Sequence, residues 1–226
     1  MPGPHDGQRV LEAGQRLAQA SSAMVLLHGR GASAEDIMFS VTARVAGRGE
    51  AEGFAFLAPQ AAGNTWYPNR FVEPLESNEP WLSSALETVG RQLRRVEQTV
   101  PLDRAILLGF SQGACLALEY AARNARRYGG VVGLSGALIG PDDTPRDYPG
   151  SLEGTPVLLG CSDRDPHVPA DLVAGSGEVM RRLGGSVDVR LYSGLGHEVN
   201  EDEISLVREM MSALVRHSQA GKAAGR

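Results

Sequence analysis

The chain has 226 residues, 42% of them hydrophobic, and a net charge of −5, enough apolar material for one large core and an acidic balance that argues against nucleic acid or an anionic membrane as main partner. No apolar run approaches the roughly 20 residues that span a bilayer. The opening Met1-Pro2-Gly3-Pro4-His5-Asp6-Gly7 has neither a basic start nor an apolar stretch, so no signal peptide and a cytoplasmic protein are expected.

From the N-terminus, Val10-Leu11 and Leu17-Ala18 read as short edge strands turned at Gly14. Ala23-Met24-Val25-Leu26-Leu27 is a continuous apolar run, the pattern of a strand buried on both faces. The loop His28-Gly29-Arg30-Gly31 follows it. Ser33, with Asp36 three residues on, caps a helix whose buried face is Ile37, Val41 and Val45, and that helix is expected to fade at Gly47-Arg48-Gly49. Phe54-Ala55-Phe56-Leu57-Ala58 is a second buried strand. Residues 60–79 show no helical period, and a long loop of this kind inside a compact domain points to function. Its aromatic and aliphatic side chains Trp66, Tyr67, Phe71 and Leu75, with Leu138 further on, are the candidate substrate pocket.

Leu82, Leu86, Val89, Leu93, Val96 and Val100 alternate by four and three and predict an amphipathic helix, opened near Pro80 and closed by Pro101. Ala105-Ile106-Leu107-Leu108 then leads into Gly109-Phe110-Ser111-Gln112-Gly113, and a small-faced helix is expected from Gln112 to Tyr128. Gly130–Leu134 and Pro156–Gly160 are further strands, residues 170–183 a helix, and Val187–Tyr192 an outer strand. Asn200, with Glu203 three residues later, caps a last helix. The expected organisation is a single α/β domain over residues 1–217, with about six strands and five helices in a mostly parallel, doubly covered sheet, and a disordered tail at 218–226. Such sheets carry their sites at the carboxyl ends of the strands.

Gly-x-Ser-x-Gly between a strand and a helix places a serine on a tight turn, exposed for attack on a carbonyl carbon. A serine hydroxyl needs a base, and the base an orienting acid. In this arrangement the order is serine, acid, histidine. Ser111, Asp165 and His197 supply it, with Asp163 as a competing acid. His5 and His217 are expected in solvent, His167 lies too close to Asp165 in sequence, and His28 precedes the serine. The oxyanion donors would be the main-chain N–H groups of Gln112 and of Arg30. Cys115 and Cys161 read as buried thiols without metal spacing, and neither a metal nor a cofactor is expected.

His28-Gly29-Arg30-Gly31, Gly109-Phe110-Ser111-Gln112-Gly113-Ala114, Asp165-Pro166-His167-Val168-Pro169 and Gly196-His197 together resemble the phospholipase/carboxylesterase family of α/β-hydrolases, over roughly residues 20–216. The resemblance implies an α/β-hydrolase fold without a large lid domain and cleavage of carboxylic esters or thioesters, and the expected activity is hydrolysis of small or medium acyl esters through an acyl-enzyme. It assigns Ser111, Asp165 and His197 to the triad and the Arg30 and Gln112 N–H groups to the oxyanion hole. Its implied partner is a small-molecule ester, with no nucleic acid, no stable membrane insertion and room for a homodimer. Activity on thioesters, lysophospholipids or peptides, and a non-catalytic binding role, are the alternatives. Two departures stand out: an arginine at position 30, where many members carry an apolar residue, and Cys161-Ser162, where many carry His-Gly. The Asn64-Thr65-Trp66-Tyr67-Pro68 loop is more like that of bacterial esterases than that of protein-depalmitoylating members.

Overall fold

The computed structural model describes residues 2–45 and 51–224, with side chains through residue 216. Among these, seven strands form one sheet: β1 (Val10–Gly14), β2 (Ser22–Leu27), β3 (Phe54–Pro59), β4 (Ala105–Phe110), β5 (Gly130–Leu134), β6 (Pro156–Ser162) and β7 (Ser186–Tyr192). Their spatial order is β1-β3-β2-β4-β5-β6-β7. Strands β2 to β7 run parallel, and β1 pairs antiparallel to β3 along the edge, Val10 opposite Pro59 and Gly14 opposite Ala55. The five α-helices are α1 (Ala34–Val45), α2 (Trp81–Glu97), α3 (Gln112–Arg123), α4 (Ala170–Arg182) and α5 (Glu201–Ala224).

The continuous apolar runs are explained by two cores, one on each face. In β2, Ala23, Val25 and Leu27 join the core under α2, α3 and α4, while Met24 and Leu26 join the one under α1 and α5. The same two-residue alternation sorts Leu107 from Ile106 and Leu108, and Leu159 from Leu158. Burial on both faces leaves no position for a polar residue, so the sequence shows no polar alternation.

Two helix starts follow the capping rule. Asp36 N–H donates to Ser33 Oγ while Ser33 N–H donates to Asp36 Oδ2. Glu203 N–H donates to Asn200 Oδ1 and Asn200 N–H to Glu203 Oε2.

The differences from the sequence reading are local. The Leu17-Ala18 strand is instead a 3-10 turn, Leu17–Gln19. Helix α3 ends at Arg123, short of Tyr128, because Asn124 leaves the helical region at φ −123°, ψ 48° and Tyr128 N–H is drawn to Thr155 Oγ1 at 2.9 Å. Arg126 and Arg127 therefore lie past the helix and bond Glu97 and the Glu153 carbonyl. Helix α5 continues as backbone to Ala224, into the stretch expected as a tail. The expected fade of α1 at residues 47–49 lies outside the described residues.

Candidate active site

The carboxyl ends of the parallel strands set the site. Ser111 follows β4 directly and adopts φ 55°, ψ −120°, a sparsely populated conformation for a residue with a side chain. Its N–H donates to Leu134 O and its carbonyl accepts from Cys115 N–H, which pins the turn between β5 and α3. The flanking glycines are required by contact: a Cβ at Gly109 would collide with the main chain of Gly113, and one at Gly113 with the carbonyls of Leu27 and His28. A Cβ at Gly29 would come within 3.3 Å of Ser111 Cβ, a tight contact short of a collision, so the His28–Gly31 loop lies beside Ser111.

His197 comes from the loop after β7 and Asp165 from the loop after β6. His197 Nε2 lies 2.9 Å from Ser111 Oγ and His197 Nδ1 2.7 Å from Asp165 Oδ2. Burial alone would raise the Asp165 carboxyl. Hydrogen bonds from His197 and from the His167 and Val168 N–H groups outweigh it and hold the group below the usual carboxylate range. An ionised carboxylate only accepts, so Nδ1 carries the imidazole proton and Nε2 is free to accept from Ser111 O–H. Asp163, the competing acid, instead accepts from Gly194 N–H at 2.8 Å and shapes the histidine loop. His167 stands edge-on to His197, ring centroids 4.8 Å apart.

Gln112 opens α3, so its N–H is one of those a helix leaves without an internal acceptor. The Arg30 N–H likewise meets no acceptor among the described residues. Both lie in segments packed against Ser111, where the positive end of the α3 dipole adds to them.

A cavity of about 630 Å³ opens beside Ser111 and His197, and Tyr67, Phe71, Cys115 and Val168 give it apolar walls. Of the five predicted pocket residues, Tyr67 and Phe71 line it. Trp66 does not. It is fully buried under the loop, with its indole N–H donating to His28 O at 2.9 Å. Leu75 sits half-buried in a 3-10 turn, Leu75–Asn78, packed on the core, and Leu138 lines a separate cavity of about 190 Å³ with Ser176 and Arg146.

Three side chains that hold the 60–79 loop were not assigned that task from sequence. Gln112 Oε1 accepts from Trp66 N–H and its Nε2 donates to Tyr67 O, at 2.8 and 2.7 Å. His28 Nε2 accepts from Ala61 N–H at 3.1 Å. His5, expected in solvent, is 1% exposed: its Nδ1 accepts from Ala62 N–H and its Nε2 faces Trp66 O. The Trp66 ring meets both imidazoles in tilted contacts, with centroids 5.4 Å from His5 and 5.0 Å from His28. Burial pushes both histidines below the ordinary value, in keeping with neutral rings that accept hydrogen bonds. The only signal for His5 was its place in an otherwise featureless N-terminus.

Residues 8–215 match the family model described as Phospholipase/Carboxylesterase. A crystal structure of a phospholipase/carboxylesterase from Dyadobacter fermentans is 37% identical, with a TM-score of 0.85 over 91% of this chain and 96% of that one. The chain belongs to the phospholipase/carboxylesterase family of α/β-hydrolases. Among curated relatives, acyl-protein thioesterase 1 of Debaryomyces hansenii is 33% identical across 47% of this chain and 46% of its own length. That of Yarrowia lipolytica is 28% identical across 83% and 89%. The chain spans about half the length of the first of the curated relatives it matches. Family membership makes the α/β-hydrolase sheet and the serine-hydrolase class the frame for Ser111. Burial pushes the Cys115 thiol up to about 11, and burial with the nearby Asp165 charge pushes Cys161 up to about 12, which favours the protonated thiol at both. Among the described residues no helix is long and apolar enough to cross a membrane, and no cluster of three or more His, Cys, Asp or Glu side chains is placed to hold a metal.

Proposed function

We propose that this protein hydrolyses carboxylic esters of small or medium acyl groups through Ser111, His197 and Asp165. The observation that carries the reading is the continuous hydrogen-bonded chain Ser111 Oγ to His197 Nε2 and His197 Nδ1 to Asp165 Oδ2, at 2.9 and 2.7 Å, at the mouth of a cavity with apolar walls. His197 Nε2 takes the proton as Ser111 Oγ bonds to the ester carbonyl carbon. The negative charge moves to the carbonyl oxygen, which the Arg30 and Gln112 N–H groups receive. Each such donor contributes about 3 kcal/mol in sites of this type. Asp165 stabilises the imidazolium. His197 then hands the proton to the departing alkoxide as the C–O bond breaks, leaving acyl-Ser111. Water, deprotonated by His197, attacks the acyl carbon, and the carboxylic acid leaves as Ser111 regains its proton.

Acyl-protein thioesterase relatives favour a second reading, the same chemistry on a thioester. In it only the leaving atom changes. Rates for matched p-nitrophenyl esters and acyl thioesters over increasing chain length separate the two. On either reading Ser111→Ala lowers kcat by about 10³-fold or more with the fold intact by circular dichroism. Full activity of that variant on short p-nitrophenyl esters would refute the mechanism. A cytoplasmic protein acting on a small diffusible ester is the setting we infer.

A further inference from the structure

The charge of the cavity beside Ser111 runs against that of the chain. The protein carries −5 overall, yet Arg30 and Arg70 face this cavity against one carboxylate, Glu73. Asp165, the next acid, has no exposed side-chain surface and its oxygens are engaged by His197, His167 and Val168.

Elsewhere on the surface Arg91, Arg94 and Arg95 each meet a carboxylate within 2.7 Å. The cavity arginines are different. Arg30 donates from Nη1 to Pro68 O at 2.7 Å and from Nη2 to Asn69 O at 2.6 Å. Main-chain carbonyls orient a guanidinium but do not cancel its charge. Two of its five N–H donors are used, and the other three are left for an acceptor. The ring of Tyr67 lies 6.0 Å from its Cζ. Among the described residues the Arg70 side chain has no ion pair and no hydrogen bond. A fixed cation and an uncommitted one at a catalytic cavity form a site for an anion.

The other flank of His197 has the opposite character. A cleft of about 350 Å³ there is walled by Leu108, Phe110, Leu134 and Val199, and its acids are Asp36 and Glu198. Its one arginine, Arg44, is tied to Glu201 at 2.7 Å. An ester lying across His197 would place its uncharged half in this cleft and a charged half in the larger cavity.

On the catalytic reading above, we propose that the natural substrate is an ester with a carboxylate on one half, of which a dicarboxylic acid half-ester is the simplest case, and that Arg30 and Arg70 bind that carboxylate. The Arg30 guanidinium belongs to the residue whose N–H faces the oxyanion, so the carboxylate sits several bonds from the scissile carbonyl.

Two matched pairs of substrates test this. Mono-p-nitrophenyl glutarate against p-nitrophenyl pentanoate places the charge on the acyl half. 4-Acetoxybenzoate against methyl 4-acetoxybenzoate places it on the alcohol half. In at least one pair the anionic ester should have the higher kcat/KM, by about tenfold or more. That preference should shrink as ionic strength rises from about 0.01 M to about 1 M. It should collapse toward one in the Arg30→Met, Arg70→Met double variant and partly return in Arg30→Met, Arg70→Lys. The ratio is read within each protein, so a general loss of activity or folding does not imitate the result. Cleavage of the neutral esters with no anionic preference in either pair, or a preference that survives in the double variant, overturns the proposal and leaves the esterase reading standing. Failure to cleave any of the four esters overturns both.

Discussion

The proposed catalytic constellation and the 60–79 loop meet at the same cavity but are positioned by different physics. Ser111, Asp165 and His197 each sit a few residues past the end of a parallel strand, so the sheet brings them together. The loop has no sheet or long helix of its own. It is held by side chains at His5, His28 and Gln112, each bonded to a main-chain group of residues 61–67. The first region is fixed by its backbone, where Ser111 takes a sparsely populated conformation and Gly109 and Gly113 admit no side chain. The second turns through the left-handed residues Gly63 and Asn64, at φ 58° and 57°, and depends on particular side chains. On the proposed function, chemistry rests on the part fixed by topology, and substrate choice on the part fixed by long-range polar contacts.

The largest effect expected from breaking this division is in the first region. Asp165→Asn keeps the shape of the contact but adds a donor where His197 Nδ1–H needs an acceptor. The imidazole then turns the wrong tautomer toward Ser111, and kcat should fall by about 10⁴-fold with little change in KM. Steady-state kinetics on p-nitrophenyl acetate check this, and an equal rise in KM would mean that Asp165 serves only to hold the loop.

Gln112→Ala sharpens the link between the regions. It leaves Trp66 N–H and Tyr67 O without their buried partners while the residue's own N–H stays in place. The expected cost is about 2 to 3 kcal/mol of stability by urea unfolding, together with a raised KM as Tyr67 loosens in the cavity wall. An unchanged KM would separate the loop from substrate binding.

The smallest effect concerns pH and belongs to the second region. His5 and His28 titrate below the ordinary histidine value in the folded chain. The unfolded chain therefore binds more protons as pH drops below about 6.5, and stability falls with it. Asp6 and Arg91 act electrostatically on His5, and Asp36, Glu35 and His5 on His28. Glu203 works in the other direction: burial raises its carboxyl to about 7, so its contribution declines as pH rises through neutrality. Comparison with His5→Asn isolates the histidine part. Asparagine can still accept from Ala62 N–H but does not titrate, so the loss of stability between pH 7 and pH 5 should be smaller in the variant. Parallel curves would show that His5 is not the group being protonated.

This division also marks what was legible in the sequence. Strands buried on both faces show as apolar runs, and glycines that admit no Cβ show as Gly109 and Gly113, so the sheet and the elbow could be read directly. Order along the chain then pointed to His197 and to Asp165, with Asp163 as its competitor. Partners distant in sequence could not be read. Nothing local says that His5 will bond Ala62 and Trp66, that Thr155 will draw Tyr128 out of α3, or that Trp66 will turn its indole inward to His28 O while Tyr67 beside it faces the cavity. A propensity reading extends α3 to its last good helix former, and an aromatic in a loop suggests a pocket. In both cases a tertiary hydrogen bond decided otherwise.

The most direct test of the central claim is covalent trapping. A fluorophosphonate should add once per chain, at Ser111 by peptide mapping, and ester hydrolysis should disappear in step with the adduct. Hydrolysis that continues in fully labelled protein, or an adduct on any other residue, would contradict the assignment of Ser111 as the nucleophile.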